Sequence, residues 1–315
     1  MDTEVSGNKS TACTVIRVVT VLFLIALMTA VSEAMHDREI IFPEIAALAV
    51  GYICAPKRSW AVNSQRMMLL ISGCALLGLL ISIFLPGSLY IKLIAAFAAA
   101  QLIYMFSGTG LAPLISAVVL PVLIESKSFT YVISAAGMTL SIIIFHEIYV
   151  KADIIPSESF APRAKPGKYA YFRFLARTAL VAVFMLIALR SGWRFMAAPP
   201  LLVAFTELSE KKGGRFPFKP VSIVILLTSC ALIGSVCRLA LTMTLGLPLT
   251  SAAVCAAALM LLIVYNRKMF MPPAGAITML AMLIPENAVL LYPLQVCIGM
   301  TVYMVSSYFI SKYLK

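Results

Sequence analysis

Charge is scarce in this sequence: only 12% of its 315 residues are Asp, Glu, Lys or Arg, about half the share of a soluble domain. That shortage, against 62% hydrophobic residues, excludes an ordinary water-soluble globule. Histidine occurs twice, at His36 and His146, and there is no HExxH or Cys/His spacing, so no metal cluster and no metal-dependent chemistry are expected. The seven cysteines (Cys13, Cys54, Cys74, Cys230, Cys237, Cys255 and Cys297) include no CxxC pair and lie in or beside apolar runs, which reads as reduced packing residues. A GxxxxGK[ST] loop is missing, which argues against ATP-driven action by this chain alone. With no His/Asp or metal constellation in the apolar segments, an intramembrane enzyme is disfavoured and no cofactor is expected.

What is present is hydrophobic sequence in runs. Twelve apolar segments occupy about 12–33, 41–55, 67–86, 88–106, 110–125, 129–150, 172–192, 197–209, 221–241, 246–265, 271–284 and 288–311. Eight are long enough to cross a bilayer, whereas 41–55, 110–125, 197–209 and 271–284 are short, roughly 20–24 Å as helix against a hydrocarbon core of about 30 Å. The expected fold class is an all-α membrane protein of about twelve transmembrane segments. The first segment ends in small residues like a secretory signal, but its leader "MDTEVSGNK" is not basic, so it reads as a retained helix.

The net charge of +12 resembles a nucleic-acid binder's, but it is better explained by loops. If all twelve segments cross, even-numbered loops hold Lys57, Arg58 and Arg66, then Lys151, Arg163, Lys165 and Lys168, then Lys211, Lys212, Arg215 and Lys219, then Arg267 and Lys268. Odd-numbered loops hold few bases, among them Arg38, Lys127, Arg190 and Arg194. That bias predicts both termini on the cytoplasmic side of a plasma membrane, taken here as bacterial. The expected partners are the lipid bilayer and a small anion, with no nucleic acid and with a homo-oligomer left open.

Internal similarity divides the chain. "SGCALLG" at 72–78 recurs as "TSCALIG" at 228–234, a shift of 156 residues that also lays Pro43 on Pro199. "GMT" at 137–139 recurs at 299–301, and Pro113 falls on Pro273, at shifts of 162 and 160. The expected organisation is a disordered N-terminus (1–11), a first six-segment repeat (12–150), a linker (151–171) and a second repeat (172–315). Each repeat contains two short helices begun by proline, and within each the order long, short, long occurs twice, as in nested transporter repeats.

Proline suits a helix's first turn, where its missing N–H costs nothing. The short helices therefore start at Pro43, Pro113, Pro199/Pro200 and Pro272/Pro273. Their N-termini carry unpaired N–H groups and partial positive charge, so if they point into the membrane they form an anion site in a covered polar cavity. The alternative is that Pro, Gly and Ala simply allow close packing. The candidate substrate-binding residues are Pro43, Glu44, Pro113, Pro199, Pro200, Pro272, Pro273, Gly275 and Thr278, and none is expected to be catalytic. Glu44 reads either as a proton-coupling carboxylate or as an interfacial cap. Gln101, Thr206 and Thr278 either line a pore or bond to a neighbouring helix. Glu207 reads as part of a solvated face, and His146 as an interfacial side chain.

The stretch "MPPAGAITML" (271–280) resembles the motif of the HPP family of integral membrane proteins, in which His-Pro-Pro precedes a Gly/Ala-rich helix. "APPLLVAFTELSEKKGGRFPFKP" (198–220) is similar to that family's earlier Pro-started helix and the loop after it, and "SCALIG" follows. The resemblance covers about 197–311, with 12–150 as a diverged second copy. It implies a small anion such as nitrite as substrate, since some members are associated with nitrite transport. Met271 stands where the family has His, and the first copy reads "GLAP", so the resemblance carries no imidazole chemistry over to this chain. Two functions are thus expected from the sequence: a transporter or facilitator of a small anion, or a membrane scaffold or partner subunit that transports nothing.

Overall fold

The computed structural model describes residues 2–158, 160, 166–210 and 216–313, with side chains from residue 12 onward. Among the described residues there are thirteen α-helices and no strand. They are α1 (Asp2–Ala34), α2 (Glu44–Ala49, prolonged by a π-turn Val50–Cys54), α3 (Ser64–Phe84), α4 (Leu89–Ser107), α5 (Pro113–Leu123), α6 (Thr130–Lys151), α7 (Lys168–Arg190), α8 (Pro199–Ser209), α9 (Pro220–Cys237, prolonged by a π-turn Arg238–Thr244), α10 (Leu249–Arg267), α11 (Pro272–Leu283), α12 (Glu286–Val289) and α13 (Tyr292–Tyr313). Eight of them contain spans long and apolar enough to cross a bilayer: α1 from Ala12, α3, α4, α6, α7, α9, α10 and α13. The chain is an integral membrane protein.

The ends of the helices follow local chemistry. Asn63 Oδ1 accepts the Arg66 N–H at 3.0 Å and caps α3. Proline occupies the first turn of α5, α8, α9 and α11. Gly108 closes α4 in the left-handed conformation, φ 66°, which glycine adopts without steric penalty.

Burial separates two populations. The long helices keep apolar side chains such as Val19, Phe84, Ile133 and Val183 exposed on their outer faces, as lipid contact requires. The short helices α2, α5 and α11 are buried along their whole length, and α8 is buried apart from the partly exposed Glu207. The molecule is therefore a ring of long helices around four short ones. Within the core α2 packs on α11, α5 on α8, α8 on α11 and α2 on α5, which closes the four into a ring of their own.

Inter-helix contacts come in pairs. α3 packs on α5 and α6 while α9 packs on α11 and α13; α4 packs on α5 and α7 while α10 packs on α11 and α1. Fine detail follows the same pairing. Gly78 of α3 lies so close to α5 that an added Cβ would overlap the Val118 carbonyl oxygen, and a Cβ on Gly234 of α9 would lie 2.5 Å from the Thr278 carbonyl oxygen of α11. These are the last glycines of "SGCALLG" and "TSCALIG". Buried Tyr131 donates to Ala117 O at 3.5 Å with its ring 5.8 Å from that of Phe42, and buried Tyr292 donates to Ile277 O at 2.9 Å with its ring 6.0 Å from that of Phe195.

Successive loops alternate between two ends of the bundle. At one end residues 55–57, 59–60, 110, 207–208, 210, 217–218, 268 and 270–272 border a single crevice, and the segment after α6 joins them where the Arg58 N–H reaches Glu158 Oε1 at 3.3 Å. At the other end residues 38–39, 123–124, 194–195 and 283–285 border a second pocket. The remaining two loops belong to this second end. Ser82 donates to Ser126 O at 2.8 Å, and Glu33 Oε2 accepts from the Thr250 N–H at 3.1 Å.

Candidate functional site

The short helices make the centre of the protein thin. Twelve residues in α11 and eleven in α5 and α8 rise only about 17–18 Å, against about 30 Å of hydrocarbon around the long helices. A recess therefore opens at each end of the core.

The larger recess, of about 510 Å³, is flanked by Lys57 and Lys268 and reaches Trp60, Tyr104 and the start of α11 at Met271 and Pro272. Glu207 in its wall accepts the Trp60 indole N–H at 2.8 Å. The Lys57 and Lys268 ammonium groups attract anions to this recess, whose wall also holds Glu207 and Glu210, whereas Pro272 and Pro273 leave the first turn of α11 without N–H donors.

The smaller recess, of about 220 Å³, lies at the opposite end between Arg38 and Glu39 before α2 and Arg194 and Phe195 before α8. Its remaining wall comes from Leu123 and Ile124 at the end of α5 and Leu283 and Ile284 at the end of α11. Arg38 and Arg194 stand 156 positions apart, and Leu123 and Leu283 stand 160 apart, the same shifts that align the sequence motifs. The buried Arg238 donates from one nitrogen to Ala281 O at 2.7 Å and to Ile284 O at 2.6 Å. That guanidinium satisfies the last carbonyls of α11 and offsets the negative end of the helix.

Between the recesses the short helices bury the hydroxyls of Ser116, Thr206 and Thr278 and one carboxylate, Glu44. Its side chain is fully buried; Oε1 accepts from Ser116 of α5 and Oε2 has no partner. It sits in the first turn of α2, the position from which both of its sequence readings began. An ionisable side chain enclosed among membrane helices is costly, and such residues mark pathways and proton relays. Beside it α2 and α11 pack at backbone distance, since a Cβ on Gly275 would come within 2.6 Å of the Ala46 carbonyl, and Pro272 lies against Gly51.

The nine sequence-derived site residues are all buried. Glu44 and the first turn of α5 meet, as do Gly275 and α2. Pro272 borders the larger recess; Pro43, Pro113, Pro199 and Pro200 border neither recess. The Thr278 hydroxyl donates to Ala274 O at 2.9 Å within its own helix. Gln101 donates to Thr206 at 2.5 Å across α4 and α8, the neighbouring-helix bond that was one of the two readings.

Two groups, Arg177 and Arg238, escaped the sequence reading, and a third, His146, has partners it did not foresee. Arg177 is 3% exposed and ties α7 to α8 and α4. Its Nε donates to Ser209 Oγ at 2.7 Å and its two Nη atoms to Gln101 Oε1 at 3.2 Å and Glu210 Oε1 at 2.7 Å. Arg238, inside the apolar run 221–241, was visible as a lone cation in a membrane segment. His146 is buried rather than interfacial, its Nε2 3.3 Å from Arg58 and its ring 4.2 Å from that of Tyr52, which fastens the end of α2 to α6.

Among the described residues no group of three or more His, Cys, Asp or Glu could hold a metal ion. Comparison with protein-family models, curated proteins and solved structures finds no match in any of the three. The likeness to HPP proteins therefore rests on the quoted motifs.

Proposed function

We propose that this protein moves a small anion, of the size of nitrite or a small carboxylate, across the membrane along the axis of the four short helices. In this reading the chain is a tandem duplication of an HPP-like unit, all twelve segments cross, and both termini are cytoplasmic. The observation that carries the proposal is the pair of recesses at the two ends of a thin, closed core: the smaller holds Arg38 and Arg194 with Glu39, and the larger holds Lys57 and Lys268 with Glu207 and Glu210, of which Glu207 is bound to the Trp60 indole and Glu210 to Arg177. The matched helix contacts and the equivalent positions of Arg38 and Arg194 support a two-fold pathway. A core that is shut between two recesses suits a carrier that opens to one side at a time better than it suits an open pore. Glu44, the buried carboxylate beside that axis, is the group assigned to proton coupling.

Two outcomes follow. Arg38→Gln with Arg194→Gln removes two rim charges, and at roughly 0.7 kcal/mol each the half-saturating nitrite concentration in proteoliposome uptake should rise about tenfold. Unchanged saturation would remove the smaller recess from the pathway. Glu44→Gln retains an acceptor for Ser116 but no exchangeable acid, so uptake should lose its response to an imposed pH gradient while the protein stays folded. A variant as responsive as wild type would take Glu44 out of the coupling.

A further inference from the structure

Outside the core, the seam between α9 and α10 carries a second kind of site. On α9 Ser222, Ile225, Leu226 and Ser229 fall at spacings of three and four, one face of the helix, and on α10 Ile263 and Arg267 do the same. The two serines are short, which leaves a groove of about 250 Å³ between the helices, roughly 10 Å long from Ser222 to Ser229 along α9. Ile225 is 59% exposed there, on a surface that faces lipid.

Where α9 begins and α10 ends, this groove continues through Ser222, Arg267 and Met269 into a wider recess of about 790 Å³. Lys219, Arg267 and Tyr308 border that recess, with Phe216 and Phe218 beside them, and neither it nor the groove has an acidic side chain in its wall. Lys312 adds a third cation, its ammonium 3.4 Å from the Tyr308 hydroxyl. The arrangement is an apolar slot on the bilayer side of the helices with cations and aromatic rings at the level where both helices leave the membrane.

We infer that this seam binds an anionic phospholipid, with one acyl chain in the α9/α10 groove and its phosphate among Lys219, Arg267 and Lys312. Charge complementarity selects the occupant. A headgroup with net negative charge gains from three cations without an acidic neighbour, whereas a choline headgroup brings a cation of its own into the same recess. The groove runs without a break into the cationic recess, so a single molecule with an acyl chain and an anionic headgroup spans both. The inference depends on the membrane-spanning character of α9 and α10, and not on which solute the core transports.

The test is native mass spectrometry of the full chain released from detergent with equimolar phosphatidylglycerol and phosphatidylcholine of identical acyl chains. Wild type should retain phosphatidylglycerol in severalfold excess, and Lys219→Gln with Arg267→Gln should bring the ratio close to one. Ser229→Phe, which fills the groove and leaves the cations in place, should reduce adducts of both lipids. Excess inorganic phosphate should not displace phosphatidylglycerol. Equal retention of the two lipids by wild type, or an unchanged preference in the double variant, would overturn the inference. Displacement by phosphate together with an unaffected Ser229→Phe would overturn it too, leaving a site for free phosphate. Lys219 and Arg267 are exposed and Ser229 is half-buried in the groove, so an unchanged elution profile checks that each protein is folded.

Discussion

Gly299→Ala should destabilise this protein severely, while Gly137→Ala, at the matching "GMT", should leave it unharmed. An added Cβ at Gly299 would overlap the Met196 carbonyl oxygen and lie 2.9 Å from Leu201 Cδ1, so α13 and the segment leading into α8 would have to separate. The obstacle is backbone, which cannot rotate away, and overpacking of this kind costs about 3 kcal/mol. Gly137 on α6 has nothing within 4 Å of the same position, and alanine is the better helix former there by about 0.5–1 kcal/mol. Thermal unfolding in detergent should show a clear loss of Tm for the first variant and none for the second. Equal Tm values would mean that α13 does not approach the start of α8 as closely as described.

Arg177→Met should be almost as damaging. Methionine keeps much of the volume but removes the donors to Ser209, Gln101 and Glu210 at once. Unpairing a buried ion-pair network costs about 3–5 kcal/mol, and the lower end applies because the Glu210 side chain is 27% exposed and Arg173 lies 3.8 Å from it. Arg177→Lys restores a charge but only one of the directed bonds, so its Tm should fall between wild type and Arg177→Met. A Tm for Arg177→Met equal to wild type would show that α7 is held to α4 and α8 by apolar packing alone.

Much of the architecture was legible because membrane helices are written in local signals. The segment read as 12–33 corresponds to Ala12–Ala34 and 271–284 to Pro272–Leu283, since apolar length and a first-turn proline need no knowledge of neighbours. Segment 221–241 continues to Thr244 because the π-turn after Cys237 carries Arg238 inward to the end of α11, a partner that lies over forty residues away. The site was less legible for the same reason. The proline starts identify which helices are short, but nothing local says that Glu44 meets Ser116 across 72 residues, or that Trp60 reaches Glu207 across 147. The two "GMT" stretches make the point at a single residue type: identical sequence, with backbone against one glycine and open space beside the other. The charge pattern of the loops was readable, whereas the recesses they border arise only when loops far apart in sequence gather at one end.

The central claim is that the thin short-helix core carries a small anion, and uptake of nitrite into sealed proteoliposomes tests it most directly. Wild-type chain should give saturable uptake above protein-free vesicles, and Gly275→Leu, which wedges α11 away from Ala46, should reduce it to background. Uptake by folded wild-type protein no faster than by empty vesicles, for nitrite and for formate, acetate and bicarbonate alike, would contradict the account.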